Sequence, residues 1–398
     1  MLQIEPNPKQ YRYALDHLGF RPFFLLGSVF SVISISLWVW IYGFGGQIPV
    51  SGFGPVNWHA HEMIYGYSLA VIAGFLLTAV NNWTGVQTLH GKPLLVLVLL
   101  WLVARLMPFL QHQMATLVMA TLDIVFLVWL SWEIFKPLHQ AKKWEHLGVW
   151  IKLLFMLIGQ CFFYLGLFGL LEYGMQWGLY TGLYIIISMV LLMGRRVIPF
   201  FIEKGVDGPV ELQNYRWLDL SSLVLMLLFW VFAVFVDNKQ PFAIVGMALF
   251  ALHVLRMWGW HTLGIWSKPL LWVLYLAYGW VVLGFLFSAL GTIGWISPML
   301  AVHAFAYGGI GMITLGMMAR VAYGHTGRNV FDPPKELRFI FALLFVGAVV
   351  RVLLPMVWQS HYLNLILISQ SLWIVAFMLF LLIYAPLLVK PRVDGRYG

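Results

Sequence analysis

Two histidines and a glutamate stand together in Trp58-His59-Ala60-His61-Glu62-Met63, at the head of an apolar run that continues to Val80. Imidazole is the usual side chain for holding copper, zinc or haem iron among apolar helices, because it offers a nitrogen lone pair while neutral. Residues two apart on a regular helix diverge by about 200°. His59 and His61 therefore serve different sites, unless His59 belongs to the cap and the helix starts near His61. Glu62, three positions after His59, shares its face and could orient an imidazole or relay protons. The plainer alternative places all three side chains in interfacial water.

A second stretch echoes the first. His61, Tyr65, Gly66, Gly74, Thr84 and Gly85 recur as His303, Tyr307, Gly308, Gly316, Thr326 and Gly327, all at one offset of 242. This is the pattern of an internal duplication. It puts His303 at the depth of His61, and we expect those two to form a pair with His59 in a separate role. Tyr65 and Tyr307, one turn below, could donate phenol hydrogens to a bound ligand or simply pack. His253 lies within the apolar run Phe242 to Leu255 and needs either a metal or a hydrogen bond from another helix. His325 lies at the opposite end of the same run as His303. Arg105 and Arg351 fall inside apolar runs, where a guanidinium usually faces a carboxylate, a cavity or an anionic group. We expect them to partner Glu62, a haem propionate or an anionic ligand, with Asp123 pairing Arg105 or carrying protons. Arg320 and Arg328 are further candidates for an anion or propionate. Met312, Met317 and Met318 read as packing, and no phosphate-cradling Gly-Lys loop, GxSxG elbow or HExxH helix occurs.

The elements that position these residues are membrane helices. The chain of 398 residues is 62% hydrophobic and 10% charged, with a mean hydropathy of +0.86, too apolar for a water-soluble globule. Runs long enough to cross a hydrocarbon core of about 30 Å fall at 23–44, 58–80, 94–110, 114–135, 147–171, 174–193, 217–236, 242–258, 270–290, 298–319, 339–358 and 362–385. The expected fold is all-α, a single transmembrane domain of twelve helices over 1–398. A segment 1–22 and a tail 386–398 lie outside the bilayer. The first run follows Lys9, Arg12 and Arg21 without a small-residue cleavage site, so we read it as a retained helix.

Of the 24 Lys and Arg residues, Arg105, Lys152 and Arg351 fall within spans and Lys239 alone lies on the far side. The rest gather on the side of both chain ends, which places those ends in the cytoplasm. The formal charge of +9 then reflects topology, with anionic membrane lipids and not nucleic acid as the partner. Cys161 is the only cysteine, which rules out an internal disulfide, a thiolate cluster and a covalently attached c-type haem.

Several blocks carry a family resemblance. They are Gly19-Phe20-Arg21-Pro22-Phe23-Phe24, the histidine stretch at 58–63, Ala73 to Val80 with Asn82-Trp83-Thr84-Gly85, Gly194-Arg195-Arg196-Val197-Ile198-Pro199-Phe200-Phe201, and Thr314 to Val321 with Gly324-His325-Thr326-Gly327-Arg328. In this order they resemble the NnrS family. The resemblance implies a bacterial inner-membrane protein holding haem b and copper and acting in tolerance of nitric oxide and nitrosative stress, in the setting of denitrification. It carries over the pattern at His59, His61, Glu62, His303, Arg320, His325 and Arg328. The expected role is binding or transforming nitric oxide at a histidine-ligated metal, as an oxidoreductase whose electron donor the sequence does not identify. Transport of a metal or metal-nitrosyl species, and a haem sensor without turnover, are the rival roles.

Overall fold

The structure, a computed structural model, describes residues 13–47, 52–110 and 112–398. Lys9 and Arg12 of the basic N-terminal segment lie outside the described residues. Twelve helices are long and apolar enough to span a membrane: α1 (Phe20–Phe44), α2 (Pro55–Thr84), α3 (Gly91–Leu110), α4 (Gln113–Gln140), α5 (Trp144–Leu167), α6 (Gly174–Gly205), α7 (Arg216–Phe235), α8 (Gln240–Trp260), α9 (Pro269–Thr292), α10 (Pro298–His325), α11 (Leu337–Val357) and α12 (Gln359–Val389). No strand occurs among the described residues.

Two helices overrun their apolar stretches. α6 was expected to stop at 193 but continues through Arg195 and Arg196 to Gly205. Its charge is compensated there, since Arg195 NH1 lies 2.7 Å from Asp219 Oδ2, and Arg256 takes the other oxygen at 2.7 Å. α10 likewise runs on to His325. The connections that follow α6 and α10 are therefore shorter than the apolar runs predict.

Helices α2, α10 and α9 lie at the centre. In α2, α10 and α9, 83%, 78% and 72% of the most apolar window is buried, against 33–56% in the others. Glycine permits the close approach in α10. A Cβ on Gly308 would collide with the Trp280 ring of α9, which supplies dispersion contact in place of a hydrophobic force that lipid cannot provide. α2 and α10 meet through a 2.7 Å hydrogen bond between Tyr67 Oη and Thr314 Oγ1.

The duplication also shows in the backbone. α2 changes from α to π geometry at Glu62–Ser68, and α10 at Ala304–Gly311, which is the same place at the offset of 242. Such wide turns leave carbonyls without regular partners, and side chains supply them. Ser68 Oγ donates to Met63 O (2.7 Å) and Trp101 Nε1 to Gly66 O (3.0 Å). A third π turn, Val349–Leu353, carries Arg351 in α11.

Both described chain ends lie on one face. Ala14 N donates to Val389 O at 2.9 Å. The fully buried Arg21 donates to the carbonyls of Leu388 (2.9 Å), Lys390 (2.8 Å) and Gly398 (2.6 Å). A guanidinium suits this position because the last carbonyls of a helix lack intrahelical donors and carry its negative end.

Candidate functional site

At the opposite face, the two histidines of α2 separate. α2 starts at Pro55, so His59 and His61 both sit on regular helix and point to different sides, as residues two apart must. The expected pairing of His61 with His303 does not form; His59 is the one beside His303.

His61 enters a closed polar ring. Its Nδ1 lies 3.1 Å from Glu62 Oε1, and Arg105 NH1 donates to Glu62 Oε2 at 2.8 Å. Arg105 NH2 donates to Asp123 Oδ1. Tyr164 Oη donates to Asp123 Oδ2 at 2.5 Å and lies 3.5 Å from His61 Nε2. Helices α2, α3, α4 and α5 each contribute, and no member is more than 3% exposed. Because the Tyr164 hydrogen is committed to Asp123, its oxygen can only accept from His61 Nε2. Nδ1 faces a carboxylate oxygen, so each ring nitrogen has an acceptor beside it. Were both to carry a hydrogen, the imidazolium and one guanidinium would balance two carboxylates, which is the condition for burying so many charges together.

Glu62 thus turns to the adjacent His61 and to Arg105, not to His59 as helix spacing suggested. The π turn that begins at Glu62 changes its direction, and Arg105 draws its carboxylate. Gly66 makes room, since a Cβ there would lie 2.8 Å from Glu62 Oε2 and 3.1 Å from Arg105 NH1. The expected partnership of Arg105 with Glu62 and Asp123 is present.

The second cluster holds His59, His303 and Arg351. The His59 ring stacks on Trp38 of α1, with centroids 4.4 Å apart and planes within 7°. Its Nδ1 is buried and has no hydrogen-bond partner. His303 Nδ1 faces Met299 O at 2.8 Å, and Arg351 NH2 lies 3.0 Å from Nε2. The carbonyl can only accept, so Nδ1 carries the hydrogen and Nε2 presents its lone pair. Arg351 is thus the charged group nearest this pair of imidazoles.

Comparison of the repeats explains the difference. At the offset of 242, Glu62 corresponds to Ala304, and neither α11 nor α12 contains an Asp or Glu that could take the place of Asp123. The second copy has neither carboxylate, and Arg351 has no ion-pair partner among the described residues. It turns to the imidazole and, at 3.5 Å, to Tyr362 Oη.

Tyr65 packs against His61, with ring centroids 5.2 Å apart, but it and the remaining expected residues do not join the polar contacts of either cluster. Tyr65 and Tyr307 donate to the backbone oxygens of Gly178 (2.6 Å) and Ser369 (2.5 Å), so neither hydroxyl hydrogen is free for a ligand. His253 has both nitrogens engaged, by Tyr278 Oη at 2.7 Å and Ser222 Oγ at 3.1 Å. That is the interhelical hydrogen bonding which was the alternative to a metal. His325 meets Asn82 Nδ2 at 3.4 Å near the chain-end face. Arg320 stacks on Phe201, its Cζ 3.7 Å from the ring centre, and Arg328 NH1 reaches Thr326 O at 3.5 Å. Tyr164 and Trp38 were not singled out in the sequence, since one of 17 tyrosines and one of 20 tryptophans in apolar runs carry no distinguishing pattern.

A family model described as NnrS protein matches residues 14–392. No curated protein matches the chain.

Proposed function

The chain belongs to the NnrS family, and from that membership we propose that it acts in the response to nitric oxide through a metal held by His59 and His303. The observation that carries the site is the buried, unpartnered Nδ1 of His59 near a His303 whose Nε2 lone pair is held only by Arg351 NH2 at 3.0 Å, a donor that a bound metal would displace. A ring that gives its other N–H to a backbone carbonyl is the usual state of a metal-bound histidine.

Among the described residues no three His, Cys, Asp or Glu side chains are grouped to hold a metal. Two imidazoles would therefore hold the ion and leave positions open for a small ligand such as nitric oxide. Copper suits a neutral nitrogen pair. Haem b rests on family membership alone, since no histidine lines the four cavities described in this structure. When bound, the metal would supply the orbital that takes nitric oxide. Arg351, with no carboxylate, would neutralise an anionic group beside it. The ring from His61 to Tyr164 fixes α2 against α3, α4 and α5, and so holds His59 on its Trp38 platform. The Lys and Arg asymmetry supports both ends lying in the cytoplasm, and family membership supports a bacterial inner membrane.

Metal analysis and EPR of purified, copper-loaded protein test the site. His59→Ala and His303→Ala lose the bound metal, and His253→Ala keeps it. Full metal content in both of the first two variants would overturn the assignment. Transport is the second reading, favoured by the matched π interruptions of α2 and α10, because broken, duplicated helices commonly frame transported substrates. Metal flux into liposomes that stops in the same variants would establish it.

A further inference from the structure

We propose that a cavity at the chain-end face binds the phosphate group of an anionic membrane lipid. The cavity, of about 330 Å³, lies between the end of α6 at Gly205, the start of α9 at Pro269, Arg320 of α10 and the connection leading into α11. Four cations line it: Lys268, Arg320, Lys335 and Arg338. Asp332 is the only acid in its lining.

The cations differ in what they already hold. Lys268 Nζ pairs with Asp207 at 3.2 Å, and Arg338 NH2 donates one hydrogen bond to Ser267 O at 2.8 Å. Arg320 has no hydrogen bond and no ion pair among the described residues; one face of its guanidinium covers Phe201. Stacking restrains the plane and leaves the edge, where the N–H donors lie, for a planar or tetrahedral oxyanion. α9 and α11 both begin at this cavity, and their N-terminal dipole ends add to the same field.

A cation set of this kind could serve free phosphate or a lipid phosphodiester. The walls favour the lipid. Leu270, Leu271 and Val330 line the cavity beside the charges, and Phe331 is 58% exposed there. An acylglycerol passing out of the cavity would lie against such apolar side chains. Basic hollows between helices on this side of a bilayer are also where anionic headgroups concentrate.

The test uses the full-length protein in nanodiscs, with thermal unfolding and lipid retention in native mass spectrometry as readouts. Phosphatidylglycerol raises the midpoint above that in pure phosphatidylcholine, and one lipid stays bound. Lys335→Gln with Arg338→Gln, both exposed and tolerant of change, lowers retention roughly thirtyfold, from the contribution of each basic group near a membrane surface. Arg320→Gln lowers it further, whereas Arg216→Gln, outside the cavity, leaves it unchanged. Should Arg320→Gln fail to fold, the Lys335/Arg338 pair still decides. An unchanged response in that pair would overturn the site. Protection by inorganic phosphate in lipid-free detergent, with no gain from phosphatidylglycerol, would overturn the lipid assignment.

Discussion

Replacing Asp123 by asparagine tests the buried ring most directly. The change keeps the shape of the side chain but removes one negative charge from a site where no member is more than 3% exposed. Arg105 then has Glu62 alone at 2.8 Å, and with His61 as an imidazolium the ring is left with one uncompensated positive charge. Removing one partner of a buried pair costs about 3–5 kcal/mol. Arg105→Gln, from the other side, leaves two carboxylates against one imidazolium and falls in the same range. The double variant is the discriminating case. With Arg105 and Asp123 both neutral, Glu62 and His61 remain 3.1 Å apart with equal and opposite charge. Its cost should fall short of the sum of the single variants by about 1–3 kcal/mol. Reversible unfolding in mixed micelles, followed by tryptophan fluorescence, gives all three values. An Asp123→Asn variant within about 1 kcal/mol of the parent, or a strictly additive double variant, would refute the balanced ring.

Other perturbations have smaller and separable effects. Gly66→Ala must displace both Glu62 and the Phe30 ring, each 2.8 Å from the added methyl, and should cost about 1–3 kcal/mol in the same unfolding assay. Tyr67→Phe removes the bond between the repeats but leaves Thr314 its own carbonyl partner at 2.6 Å. Its cost should be only about 0.6 kcal/mol, typical of such bonds in membranes. At the C-terminal tail, the hydrogen bond from Arg392 holds the Asp394 carboxyl below the usual carboxylate range. A depressed carboxylate stabilises the folded tail above its unfolded pKa of about 4 and ceases to do so as pH falls through the lower folded value. The protection factor of amides near Asp394, corrected for the intrinsic pH dependence of exchange, should therefore be higher at neutral pH and fall on acidification below about pH 4, and Asp394→Asn should remove that dependence.

What the sequence reveals here follows hydropathy and depth. Twelve spans are legible because lipid forces every backbone group into helices of nearly fixed length. Arg105, Glu62 and Asp123 could be matched because buried charges must find one another and lie at similar depth. Rotation about the helix axis is less accessible. Two residues 200° apart make it clear that His59 and His61 diverge, but not which of them turns toward α10. The π turn at Glu62 has no strong residue signature, yet it decides which imidazole the carboxylate meets. The partners of His253 are a serine and a tyrosine, types too common in apolar runs to mark themselves. The repeat paired His61 with His303 by setting them at one depth, whereas in the fold His61 is engaged by Glu62, for which the second copy has Ala304.

The clamp formed by Arg21 bears on how the protein is made. Its acceptors at Leu388 and Lys390 lie 367 and 369 residues further along the chain. At about 5–20 residues per second, a ribosome needs roughly 20 to 70 s to supply them after Arg21 emerges. Until then the guanidinium is met only by water and lipid headgroups. The contact that joins the first helix to the last can therefore close only after α12 has been made and inserted, which makes it a late step of assembly.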